Sequence, residues 1–404
     1  STEQVEVSWN YDEPRTGYYN VGGVTSMIDG HGRSMYNYDV AGRLVHRSRT
    51  VDNVVYAFEY GYDAMGRRSW IKYPDGDYVG TPSNPIGYDR LGRLTTVPDI
   101  ITNIMHAADG QIEQVTYADG SVDERTYARE TGLWIDWRTS LGAQILWSET
   151  IVPGGRTAQG RIGTIVHHDG QNVGYDYSMG QLLRSTTSGV QGGSSEDWYG
   201  LDELGNLSSN PESGVACAYP APGQPRPHAP MSVDGLPVQY DESGNTIANG
   251  QHVLAWGPDN APSQIDDVTL RYDGDGNLLG VADAAGETLL LGDDFEVRGC
   301  ETRKYVRLNG LSVARRVGQQ QAAFGQVWLH ADHLGSTVAI SDTTGLVAQT
   351  SYNPFGKQPT PWDAGEPVGF LGQRAVTDGI VMFGARPYDV EMGAGTFHPA
   401  TFFG

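Results

Sequence analysis

The stretches YDVAGRL at 38–44, YDAMGRR at 62–68 and YDRLGRL at 88–94 are nearly one heptapeptide written three times. A repeat has to be settled first, because it decides the whole architecture. In each copy an Asp opens a tight turn and a Gly follows three places later. The carboxylates of Asp39, Asp63 and Asp89 can accept a backbone N–H two residues on, and Gly42, Gly66 and Gly92 can take the left-handed conformation that closes a three-residue hairpin loop with a bulge. Tyr38, Tyr62 and Tyr88 end one strand, and the Arg after each Gly opens the next. The heptapeptide is a hairpin corner.

Looser copies run along the chain: IDGHGRS at 28–34, YDYSMGQLL at 175–183 with one extra residue, LDELGNL at 201–207, YDESGNT at 240–246 and YDGDGNL at 272–278. The last two place Tyr240, Asp241 and Gly244, and Tyr272, Asp273 and Gly276, in the corner roles. Asp-Gly pairs in YPDG at 73–76, YADG at 117–120, HHDG at 167–170 and SVDG at 232–235 predict two-residue primed turns between these corners. Segments such as VVYAFEY at 54–60 and QIEQVTY at 111–117 have the length and alternation of strands. Gly makes up 54 of 404 residues, well above the usual share of roughly 7%, and it falls at punctuation sites. No apolar run shows helical spacing, so helix is expected to be rare.

The composition shift at 208–237 carries seven prolines, which interrupt any strand pattern. It reads as a surface excursion, the alternative being a linker between two independently folded halves. With 27 basic against 49 acidic residues and a net charge of −22, nucleic acid and anionic membrane surfaces are excluded as main partners, since both need clustered Lys and Arg. No segment approaches 18 consecutive apolar residues, so no membrane span is expected. STEQVEVSWNYDE lacks the basic start and apolar core of a signal peptide and reads as the start of a mature or cut product. The two cysteines, Cys217 and Cys300, cannot be placed together from sequence.

VWLHADHLGSTVAISDTTGLVAQTSYNPFGK at 327–357 and GFLGQRAVTDGIVMFGARPYDVEMGAGTF at 369–397 resemble, in order, the core signature of the Rhs and YD-repeat proteins. LLGDDFEVRGC at 290–300 resembles the strand before that core, and with the upstream corners the resemblance covers essentially the whole chain. It implies an all-β fold, an antiparallel β-hairpin ribbon spiralling into a hollow shell or barrel. Residues 1–326 would be the ribbon and 327–404 the core-like closing segment, the two forming one continuous unit. His330, Asp332, His333, Gly335, Pro354, Phe355 and Gly356 carry the signature. In polymorphic toxins and in the C component of Tc toxins such a shell holds a toxic polypeptide; in teneurins a related barrel serves cell adhesion.

The same resemblance raises an aspartyl self-cleavage, because Arg386 and Asp389 fall on the family's Arg-x-Tyr-Asp. Two carboxylates sharing a proton suit such chemistry. Val390 and TFHPATFFG replace the family's following elements, and the second carboxylate is missing, so a degenerate structural end is the competing reading. His330, Asp332 and His333, like His167, His168 and Asp169, raise a metal site. On a strand His330 and Asp332 share a face while His333 points away, and two ligands do not make a site; a structural role is expected, with no metal and no cofactor. Asp273, Asp275 and Asn277 imitate the start of a calcium loop, but Leu278 and Ala284 stand where Gly and Glu are required. Ser336 and Ser351 lie in no nucleophile elbow. Inward tyrosines are expected to pack the wall, with sugar binding as the other reading.

The first functional expectation is a non-enzymatic shell or scaffold for encapsulating and delivering a toxin or effector. The second is an extracellular adhesion or filament protein binding glycans or its own copies, and the third a self-cleaving core. The expected partners are the remainder of a precursor, a companion shell protein, another copy or an enclosed toxin polypeptide. They would meet at an open N-terminal rim of a secreted or cell-surface protein.

Overall fold

The computed structural model describes residues 7–189, 193–319, 325–359 and 365–395. TFHPATFFG lies outside them. Among the described residues, regular structure consists of β-strands and one 3-10 turn at Phe370–Gly372, and every strand pair with an assigned register is antiparallel, each strand meeting the next in the chain. The fold is an antiparallel hairpin ribbon, as the corner repeat predicts. The chain divides into two compact units, one of residues 1–118, 271–307 and 314–326, the other of residues 119–270, 308–313 and 327–404.

In the first unit the strands Ser8–Tyr11, Val24–Asp29, Gly32–Tyr38, Leu44–Val51, Val54–Tyr62, Arg68–Lys72 and Tyr78–Val79 pair in chain order. Their corners explain the repeat. At Asp39, Asp63 and Asp89 the Asp N–H donates to the carbonyl four residues on at 2.9–3.0 Å, and the Gly N–H donates back to the Asp carbonyl at 2.9–3.1 Å. The Asp Oδ1 accepts the N–H groups two and four residues on. Gly42, Gly66 and Gly92 have φ of 74°, 81° and 84°, the left-handed region where a Cβ is costly.

The Arg of these corners has up to three jobs. Its Nε donates to its own Asp Oδ2 at 2.6–2.7 Å. Its guanidinium also reaches the next corner: Arg43 donates to the Asp63 carbonyl and lies 4.9 Å over the Tyr62 ring, while Arg67 donates to the Asp89 carbonyl and lies 4.5 Å over Tyr88. The Tyr replies, Tyr62 Oη donating to the Leu44 carbonyl at 2.7 Å and Tyr88 Oη to that of Arg68 at 2.8 Å. Tyr, Asp, Gly and Arg are therefore spelled together because each corner binds the one after it.

Corner geometry persists where the letters change. Tyr73, Thr157, His167, Asp332 and Asn353 each close the same pair of backbone bonds. YPDG and HHDG are thus not the two-residue turns expected. Asp75 and Asp169 instead accept the N–H of Asp77 and Gln171 inside the larger frame. SVDG does form the two-residue turn, with Val233 opposite Leu236 and positive φ at Asp234 and Gly235. YDYSMGQLL is a two-residue turn too: Ser178 pairs with Gln181 across Met179 and Gly180, and Asp176 binds Arg184 across the strands instead of capping a loop. YDGDGNL is a corner, Asp273 accepting the N–H of Asp275 and Asn277. The proline-rich stretch is more regular than expected, since Val215–Ala218, Ser232–Val233 and Leu236–Pro237 are strands within it. Cys217 and Cys300 are both free thiols.

The first unit's core is centred on Phe58, Tyr73 and Phe295, whose rings lie 5.6–6.0 Å apart. Beside it Lys304 is fully buried, held by Asp75 at 2.7 Å and Asp77 at 3.0 Å. In the second unit Ile151, Ile165 and Val173 form one cluster with Trp134 and Tyr175, and Val215, Cys217, Val233 and Met392 another.

Tyr62→Phe removes only the hydroxyl bond and is expected to lower stability by about 1 kcal/mol. Gly66→Ala should lower it by about 1–2 kcal/mol through the left-handed backbone. Urea unfolding checks both, with Leu91→Ser, a substitution at an exposed corner tip, leaving the midpoint in place.

Candidate functional site

The signature segments of the second unit fold as corners and pack on one another. Strand Gly325–Ala331 ends in a corner where Asp332 Oδ1 accepts the N–H of Leu334 at 2.9 Å and of Ser336 at 2.8 Å, with Gly335 at φ 87°. The buried Ser336 hydroxyl then accepts the Leu371 N–H. In NPFGK, Asn353 takes the Asp position and Pro354 the next, where its fixed φ suits a turn. Gly356 is required twice over: its φ is 98°, and a Cβ there would stand 2.6 Å from the Phe370 ring. Phe370 also faces the rings of Tyr352 and Tyr388, and Tyr388 Oη donates to the Phe355 carbonyl at 3.0 Å. The ring of Phe355 packs on Tyr199.

His330, Asp332 and His333 do not converge. The strand ends at Ala331, so alternation stops there, and the corner sends His333 to Glu149 while His330 stays on the strand, buried against Ser341. Among the described residues no group of three or more His, Cys, Asp or Glu is placed to hold a metal ion. EDTA is expected to leave the thermal midpoint unchanged, and a fall restored by one specific ion would reveal a site.

A Ser–His–Asp order does occur. His330 Nε2 lies 2.8 Å from Ser341 Oγ, and its Nδ1 lies 3.8 Å from Asp123 Oδ1, which also accepts the Thr139 hydroxyl at 2.6 Å. The polarity is wrong for a nucleophile. Ser341 donates its proton to Asp119 Oδ2 at 2.5 Å, so the imidazole must donate to the serine oxygen and cannot act as its base. Ser341, His330 and Asp123 are also buried. Asp123 and Glu149 carry no local motif, and Asp119 only that of the YADG turn; distant parts of the chain bring them to Ser341, His330 and His333.

Asp389 is wholly buried at the end of strand Arg386–Asp389. Its Oδ1 accepts the N–H of Glu391 at 2.9 Å and Met392 at 3.0 Å, and its Oδ2 accepts Asn249 Nδ2 at 3.2 Å. Burial pushes its pKa up, against the hydrogen bonds and the His252 charge. Arg386, an odd number of places away on the strand, is exposed. The arrangement is that of a capping carboxyl. Asp389→Asn keeps an acceptor for both N–H groups and is expected to fold, whereas Asp389→Ala strands them in the interior and should cost about 2–4 kcal/mol. Because the folded-state pKa is raised, the wild type should lose stability relative to the Asn variant as pH rises, which thermal melts across pH can read.

No family model and no curated protein matches the chain. Solved structures do. A crystal structure of TcdB2-TccC3 superposes with a TM-score of 0.80 at 15% identity, covering 96% of this chain and 24% of the other. The Photorhabdus luminescens Tc holotoxin pore gives 0.80 at 15%, over 96% and 23%, and TcdB2-TccC3-TEV 0.79 at 15%, over 96% and 24%. The fold is shared with Tc toxin complexes. The chain spans about a quarter of the length of those it matches.

Proposed function

We propose that the chain is a wall segment of an Rhs/YD-type β-shell, a non-enzymatic scaffold that encloses a toxin or effector polypeptide outside the cell. The observation that carries this reading is the fold match to Tc toxin complexes over 96% of the chain. The corner ladder supports it, since a ribbon whose successive corners bind one another, as those at Asp39, Asp63 and Asp89 do, can lengthen into a wall. The companion would be the remainder of a precursor, a second shell protein or another copy, joined along strand edges whose N–H and C=O groups need partners.

The signature residues fit the scaffold role. Asp332 and Asn353 cap turns, Asp389 caps the chain after its strand, and Ser341 is turned away from nucleophilic use. A self-cleaving core would instead need a second carboxylate sharing a proton with Asp389. No described helix is long and apolar enough to cross a membrane.

Electron microscopy of the purified chain tests the proposal. A thin curved wall around low density, alone or in an assembly, is the expected result, and a solid particle with no interior would overturn it. Intact-mass measurement of the chain, and of any longer precursor, should give the same length with Asp389 and with Asp389→Asn. Trimming that occurs only with Asp389 would restore the protease reading.

A further inference from the structure

Three titratable side chains meet in the interior of the second unit. Glu149, on strand Gln144–Ile151, accepts two bonds from His333 at one oxygen: the backbone N–H at 3.0 Å and ring Nδ1 at 2.9 Å. The His333 ring packs on Trp134 with centroids 5.0 Å apart. Asp332 precedes it, buried and fixed by its own corner, and the Glu149 charge acts on it. Glu149 and Asp332 are 2% and 7% exposed, so water does little to screen them.

We propose that Glu149, His333 and Asp332 form a pH-sensitive clasp that fastens the Asp332–Ser336 corner to strand Gln144–Ile151, closed at mildly acid pH and loosened as pH rises through neutrality.

Buried charge sets the pH response. Two carboxylates and one imidazole make a neutral set when Glu149 is ionised, His333 is protonated and Asp332 carries its proton. Rising pH takes the proton from Asp332 first, leaving two anions against one cation, and then from His333, leaving two anions and no cation. Uncompensated buried charge is strongly unfavourable. Among the described residues, the hydrogen bonds given to these two carboxylates come from the His333 ring and from backbone N–H groups, not from a second cation. His167, opposite Glu149 in the strand register, is held neutral by burial. Tyr175 and Tyr352, which face the two carboxylates, are kept protonated by burial. Arg156 is a cation whose charge acts on His333, but its guanidinium donates to the Gly160 and Trp134 carbonyls and not to either carboxylate.

Each titration has a definite sign. Burial, then Glu149, push Asp332 up to about 6, so its contribution to stability is lost as pH rises through that value. Burial disfavours the His333 cation, but Glu149 outweighs burial and raises the pKa above the ordinary value; this stabilisation too is lost on going alkaline. Burial works against the Glu149 anion as well, and His333 outweighs it, placing Glu149 below its ordinary 4.5. That contribution disappears only in stronger acid. Asp332 starts to lose its contribution above its ordinary 3.8 and has lost it by about 6, Glu149 gives its full contribution only above about 4.5, and His333 loses its own above 6.5, so the clasp is tightest near pH 4 to 4.5.

The test is hydrogen exchange of the full chain read by mass spectrometry at about pH 4.5, 7 and 8.5, corrected for intrinsic exchange rates. Peptides covering 144–151 and 327–342 should lose about tenfold or more in protection over that range relative to peptides covering 44–62. Asp332→Asn should lose less protection than the wild type over that range, keeping only the part that follows His333; the variant is expected to fold because Asn353 already fills the same turn position in this chain. Equal protection of wild type at all three values, or an Asp332→Asn variant with the wild-type slope, overturns the clasp. Should that variant not fold, the wild-type comparison between the two sets of peptides remains decisive. The shell reading is untouched by either result, since exchange measures the clasp and imaging the wall.

Discussion

In each Tyr-Asp-x-x-Gly-Arg corner one carboxylate holds the turn together. At Asp39, Asp63 and Asp89 a single side chain satisfies two backbone N–H groups and fixes one guanidinium. The arginine, so oriented, binds a carbonyl of the following corner, and Arg43 and Arg67 also cover its Tyr ring. Hairpins of two strands are marginal in isolation, and the ladder supplies neighbour-to-neighbour coupling of the kind that stabilises repeat proteins. A charged pair at the surface is worth little alone. Here the pairing works through geometry, because it aims the planar guanidinium at two further partners.

The second unit keeps the corner and changes its use. At Asp332 the residue after Gly is Ser336, whose hydroxyl accepts from the Leu371 backbone. At Asn353 it is Lys357, which reaches Glu391 at 2.9 Å. Without the Arg, such corners are free to pack inward, and their capping groups become buried polar atoms that need internal partners. That is why buried carboxyls gather there, Glu212 being pushed up to about 7 by burial with Tyr199 donating to it. A turn motif placed in an interior turns into an electrostatic problem, and the titrations of Asp332, Glu149 and Asp389 follow from it.

Buried polar groups also show how the chain carries its acidity. Lys304 and Arg49, cations at 0% and 6% exposure, are each paired with carboxylates at 2.7 Å. Basic residues spent on such pairs and on the corners add little positive surface, so the net charge of −22 falls largely to the exterior. This favours solubility of a protein rich in strands.

The corners, the antiparallel ribbon and the scarcity of helix could be read from the sequence, since Asp capping and left-handed Gly act over five residues and leave a local spelling. The same locality misled where letters and geometry part. YPDG and HHDG look like two-residue turns, yet Tyr73 and His167 accept the larger frame, and Thr157 makes a corner with no Tyr-Asp at all. The signature letters of 330–336 and 353–357 were visible, but their partners were not. Asp119, Asp123 and Glu149 lie some two hundred residues away, and no spacing rule connects them to His330, Ser341 or His333. Only the folded sheets decided that Ser341 donates away from His330, and that Asp332 shares its interior with a second carboxylate, because hydrogen-bond direction and dielectric are set by which distant strand lies opposite.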